Sequence, residues 1–162
     1  KINIEQSGED FKLKYKFNRE ENTITEDITA LNTGFGITYV LPILIAILSA
    51  QKDSIILIEN PEAHIHPKGQ AILMELLAKA VANGIQIILE SHSDHIINGS
   101  LVAVNNGLIT PDLLSIYYFN REEHNHVAVS HPLEVSKNGH IKRPPKGFFD
   151  QIDIDLKTLT GF

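Results

Sequence analysis

The chain has 162 residues, 43% of them hydrophobic, a formal net charge of -6 at pH 7 and no cysteine. This length and apolar content fit one ordinary domain with its own core, and the acidic balance argues against a surface built to neutralise a nucleic-acid backbone. Without Cys there is neither a disulfide framework nor a thiolate zinc site, which fits a reducing cytoplasmic setting.

Lys12 to Phe17 alternates as an amphipathic strand, with Leu13, Tyr15 and Phe17 on one face and three lysines on the other. A polar stretch then leads to Asn32-Thr33-Gly34-Phe35-Gly36, after which Ile37, Val40, Leu41, Leu44, Ile45 and Leu48 keep a helical period. The longest apolar run, Val40 to Ala50, contains Pro42 and falls well short of a bilayer span, so no membrane association is expected. Lys1 stands where a start Met would be, which reads as a trimmed chain whose first strands belong to a larger unit.

Ser54 to Glu59 is a short β-branched run ending in acid, the pattern of a buried parallel strand. Pro67 opens a helix with an apolar stripe of Leu73, Leu76, Leu77, Ala80 and Val81, stopped at Asn83-Gly84. A second buried strand, Ile85 to Glu90, completes a βαβ unit. Ser91 or Ser93 caps a helix running to about Asn105, and Ser115 to Phe119 reads as a third strand continuing the sheet. Val127 to Val129 and Leu133 to Val135 read as antiparallel strands, with a turn at Asn138-Gly139 and a closing helix over Phe148 to Leu159.

The segment richest in chemistry is Ile55-Ile56-Leu57-Ile58-Glu59-Asn60-Pro61-Glu62-Ala63-His64-Ile65-His66-Pro67. A carboxylate just beyond a buried strand is where a nucleotide enzyme holds Mg²⁺, because the hard ion takes oxygen ligands and the sheet end gives them a rigid base. Glu59 is the candidate. One βαβ unit later comes Ile87-Ile88-Leu89-Glu90-Ser91-His92-Ser93-Asp94-His95, in which His92 follows a strand end.

The first string resembles the Walker B strand of ABC-type ATPases, in the branch with an acid-x-Pro-Glu-Ala-His-x-His-Pro pattern. In that family the position after the Mg²⁺ ligand usually carries the glutamate that polarises the attacking water; here it is Asn60, which can orient a water but cannot take its proton. Glu62 stands two residues on, where a carboxylate can assist. The second string is similar to the family's switch region and matches His92 to the histidine that contacts the γ-phosphate, a task suited to an imidazole. Residues 32–44 resemble the signature motif, implying that Thr33, Gly34, Gly36 and Thr38 cap the nucleotide of a dimer partner through backbone N–H groups at a helix N-terminus. Tyr39 stands where relatives often have Gln. His64, in the string facing the partner, is implied as a relay of nucleotide state.

Gly-x4-Gly-Lys-Ser/Thr, the loop that wraps phosphates, occurs nowhere in the sequence. The resemblance therefore implies an N-terminal P-loop lobe lying upstream that completes the site for ATP and Mg²⁺, poor ATP binding by this chain alone, and a homodimer of the full protein. The expected fold is α/β, a partial P-loop NTPase parallel sheet flanked by helices, with residues 1–122 as the core. Residues 123–162 form a small antiparallel extension; the string Gly139 to Gln151 looks like the C-terminal extension of a bacterial branch of these ATPases. Relatives of this type include DNA-repair clamps, overcoming-lysogenisation-defect nucleases and defence ATPases, so DNA or a nuclease is the implied kind of partner by analogy.

Two other readings compete. His64, His66, His92 and His95 beside Glu59, Glu62 and Asp94 are rich enough in ligands for a divalent-metal phosphodiester hydrolase. Alternatively, Asn60 marks an ATP-gated clamp that assembles on nucleotide with little turnover.

Overall fold

The computed structural model describes residues 2–8, 10–16, 26, 28–29, 35–121 and 127–161. Its N-terminal part is a three-stranded antiparallel sheet of β1 (Ile2–Ser7), β2 (Asp10–Tyr15) and β3 (Ile28–Thr29). β2 keeps the expected alternation where it is described: Tyr15 is buried, while Lys14 crosses to β1 and pairs with Glu5 at 2.7 Å. Phe17 lies outside the described residues.

Helix α1 (Phe35–Ser49) follows. β4 (Ile55–Glu59), α2 (Pro67–Ala82) and β5 (Gln86–Glu90) form the βαβ unit, with β4 and β5 paired in parallel from Ile55 opposite Gln86 to Glu59 opposite Glu90. Helix α2 begins where His66 turns its side chain onto the Lys68 N–H (3.2 Å) and Pro67 supplies a pre-set φ, and it stops at Asn83 before Gly84, whose φ of 87° only glycine adopts easily. Helix α3 (Asp94–Asn105) is capped by Ser93, whose hydroxyl accepts from the His95 N–H at 3.2 Å.

All three helices cover one face of the parallel pair. Ile58 packs with Ile47 of α1, Leu73, Met74 and Leu77 of α2 and Ile96 of α3, with Ile56, Ile87 and Leu89 beside them. The other face differs from the expectation of strands buried on both sides. Ile55, Leu57 and Ile88 are 66%, 69% and 50% exposed against 6% for Ile58, and no described element lies over them. Parallel sheets are normally covered on both faces; among the described residues this pair is covered on one.

The third expected strand also departs from its prediction. β6 (Ile116–Arg121) pairs antiparallel with β7 (Ala128–Val135), and β7 with β8 (Ile141–Lys142), in a sheet separate from β4–β5. The two short strands expected at 127–129 and 133–135 are one strand running through Pro132. At Pro132 the ladder has a neighbour only in β6, since β8 pairs only with Glu134 and Val135, so a missing N–H is tolerated on the open side. Val135, with Leu114 and Leu108, packs on Ala78, Ala103 and Val104, which anchors this sheet to the far ends of α2 and α3. Gly139, at a φ of 68°, brings the β7–β8 turn onto the Leu101 carbonyl so closely that a Cβ there would clash. Helix α4 (Gln151–Thr160) closes the described chain with Ile152, Leu156 and Leu159 exposed along one side. The architecture is mixed α/β, and among the described residues no helix is long and apolar enough to cross a membrane.

Candidate functional site

The parallel register sets Glu59 beside Glu90 at the C-terminal ends of β4 and β5, on the uncovered face and open to solvent. Two hard oxygen donors on adjacent strand ends suit a small divalent cation that also keeps water and phosphate ligands. His92 lies just beyond, with its imidazole exposed and Nε2 3.0 Å from a Glu90 carboxylate oxygen. Glu59, Glu90 and His92 therefore occupy one end of the sheet.

Asn60 prolongs the ladder by one step, donating its N–H to the Glu90 carbonyl at 3.0 Å, and then turns the chain with a φ of 46°. Asn accepts this left-handed conformation more readily than most residues. The backbone thus supplies a reason for Asn at this position that is separate from any handling of water. Buried Pro61 follows, and the turn closes through Ala63 N–H to the Asn60 carbonyl and Ile65 N–H to the Glu62 carbonyl, both 3.0 Å.

Glu62 points back toward the loop after β5. Its Oε2 accepts from the Ser91 hydroxyl at 2.8 Å and its Oε1 from the His92 N–H at 2.9 Å. Burial pushes this carboxyl up, but donation from the His92 and Glu62 N–H groups and from the Ser91 and Asn60 side chains outweighs it and holds the group below the usual glutamate range. Ser91, Ser93 and Gln70 carry the network onward. In the sequence their one signal is the pair of serines flanking His92, a pattern that fits helix capping equally well.

The helix-opening turn meets this region through its second glycine. A Cβ on Gly36 would come within 2.7 Å of the His64 carbonyl oxygen, so the absent side chain lets α1 start against the segment after β4. Three residues on, the Tyr39 ring lies 4.7 Å from the His64 ring, tilted by 42°. Gly36 and His64 are thus brought together, with Tyr39 added. Thr38 instead lines an apolar groove with Leu13, Tyr15, Leu41 and Pro42, between β2 and α1. Thr33 and Gly34 lie outside the described residues.

The histidine-rich metal centre does not assemble. Among the described residues no three His, Asp or Glu side chains are grouped to hold an ion. His66 spends Nδ1 on the cap of α2, His64 lies against Tyr39, and His95 has Asp94 as its neighbour at 3.7 Å. The four fall in different local settings, His64 in the turn after β4, His66 at the cap of α2, His92 in the loop after β5 and His95 in the first turn of α3.

Residues 3–98 match the family described as "AAA domain, putative AbiEii toxin, Type IV TA system", and residues 109–159 match "Protein of unknown function (DUF3696)". No curated protein matches the chain. The first match spans more than half of the sequence and contains β4, β5 and every candidate site residue. The chain therefore belongs to this AAA domain family, whose members are nucleotide-binding, ATPase-like domains.

Proposed function

We propose that the chain is the distal part of an ATPase head that completes a MgATP site together with an upstream P-loop lobe and a second copy of the protein. The observation that carries this reading is the convergence of Glu59, Glu90 and His92 at one end of a parallel strand pair in an AAA-family chain. Glu59 is the Mg²⁺ ligand, with Glu90 as its neighbour, and their oxygens fit that ion's preference. Bound there, Mg²⁺ supplies positive charge against the phosphates. His92 donates to the γ-phosphate and senses its loss, and its exposed imidazole is consistent with that reach. The start of α1, with Gly36 at His64, is the element offered to the partner's nucleotide. DNA or a nuclease is the proposed object of this cycle, by analogy with relatives of the same motif pattern.

The bare aliphatic face of Ile55, Leu57 and Ile88 supports an upstream lobe, because a parallel sheet needs a second cover. The lack of any Gly-x4-Gly-Lys-Ser/Thr loop among the 162 residues supports the same division of labour.

Asn60 favours a slower variant of this function, an ATP-gated clamp in which binding drives assembly and turnover is low. Its side chain cannot accept a proton from water. Steady-state hydrolysis by the protein with its P-loop lobe tests both forms. Glu59→Gln should lower the rate by about 100-fold, the scale for losing one charge-stabilising group, whereas Asn60→Glu should raise it if the missing base is limiting. Hydrolysis untouched by Glu59→Gln would remove the Mg²⁺ role from Glu59.

A further inference from the structure

The loops that follow the two parallel strands are tied together by one side chain. Both oxygens of Glu62, in the loop after β4, are engaged by adjacent residues of the loop after β5: Ser91 through its hydroxyl at 2.8 Å and His92 through its main-chain N–H at 2.9 Å. The pair of donors forms a fork that suits a two-oxygen acceptor, and an ionised acceptor makes each bond stronger than its neutral counterpart.

The connection continues in a closed circuit. Ser91 Oγ accepts from the Ser93 N–H at 3.1 Å, and Ser93 Oγ donates to Gln70 Oε1 at 2.6 Å. The Gln70 amide then donates to the Ile65 carbonyl at 2.9 Å, three residues from Glu62. Gln70 is buried, so breaking this ring strands polar atoms away from water.

The grip on His92 is entirely main-chain. Its imidazole stays exposed and turned to Glu90 while its N–H is held by Glu62. The carboxylate that the sequence offers as a helper for water is thus engaged in fixing the backbone that carries the imidazole.

We propose that Glu62 is a positioning residue which locks the Ser91–His92 backbone to the end of β4, so that the His92 imidazole meets the γ-phosphate at a set distance from Glu59. The role of His92 here rests on the nucleotide reading above; the lock itself does not.

Amide hydrogen exchange on the 162-residue chain tests the lock without nucleotide. In Glu62→Ala the His92 N–H should exchange about tenfold faster, the scale for losing one charge-assisted hydrogen bond, while amides within β4 and α2 keep their rates. Glu62→Gln, which retains one acceptor oxygen for that N–H, should recover most of the protection. If Glu62→Ala does not fold, Ser91→Ala replaces it, with accelerated exchange expected at Ser93, whose N–H loses its acceptor. Unchanged His92 exchange in folded Glu62→Ala, or unchanged Ser93 exchange in Ser91→Ala, overturns the lock.

The second readout is the ratio of MgATP to MgADP affinity in the protein assembled with its P-loop lobe. Glu62→Ala should reduce this ratio severalfold and Glu62→Gln should restore it. A ratio unmoved by Glu62→Ala while His92→Ala abolishes it overturns the positioning role. A wild-type protein that does not discriminate the two nucleotides, with His92 exchange still controlled by Glu62, overturns the γ-phosphate role and leaves the lock standing.

Discussion

At the residue scale, two of the positions with chemistry in the sequence, Asn60 and Glu62, also carry structural duties. Asn60 carries a left-handed φ at the exit from β4, and Glu62 accepts from two donors 29 and 30 residues away in sequence. The first constraint is hidden because Asn is equally at home in turns and active sites. The second is hidden because periodicity and spacing describe only local order. The lowered pKa of Glu62 fixes the direction of its pH effect. A carboxyl that titrates below its ordinary value when folded contributes stability that is fully present above that value, 4.5, and is lost as pH falls below it through the folded value. Chemical denaturation of Glu62→Gln should therefore show a flatter fall in stability below pH 4.5 than the parent chain. An equal fall in both would mean that other carboxyls carry the acid sensitivity.

At the scale of elements, the helices and the parallel pair were legible in the sequence because each has a local cause. The Pro67 start and Asn83-Gly84 stop of α2, the Ser93 cap of α3 and the helical period of α1 all hold, with ends within a few residues of those expected. Partner choice was not legible. β6 is as apolar and β-branched at its start as a continuing parallel strand would be, yet it pairs with β7 instead, and Pro132 made one strand look like two. The strands of the βαβ unit also gave no sign that one face would stay bare, since Ile55 and Leu57 are as aliphatic as Ile56 and Ile58. Paired substitutions distinguish the faces. Ile58→Thr should destabilise the chain by about 1–3 kcal/mol through lost packing and a buried hydroxyl, while Leu57→Thr should stay within about 0.5 kcal/mol. Equal losses in urea unfolding would mean that the Leu57 face is covered in solution.

At the scale of the whole molecule, one mixed α/β unit carries its candidate site at the end of the parallel pair, beside the exposed aliphatic face of Ile55, Leu57 and Ile88. The C-terminal sheet is fastened to the opposite ends of α2 and α3 through Val135 and Gly139, so it stands apart from Glu59 and His92 and leaves that end of the sheet open. Such a body is suited to being one side of a shared nucleotide site. On the proposed function, MgATP binding needs a P-loop lobe as well as this chain. Calorimetric titration of MgATP into the 162-residue chain alone and into the same chain joined to its upstream lobe measures it directly. Weak or no binding to the chain alone is expected, and binding to the joined protein that falls with Glu59→Gln. Tight binding to the chain alone, or none to the joined protein, would contradict it.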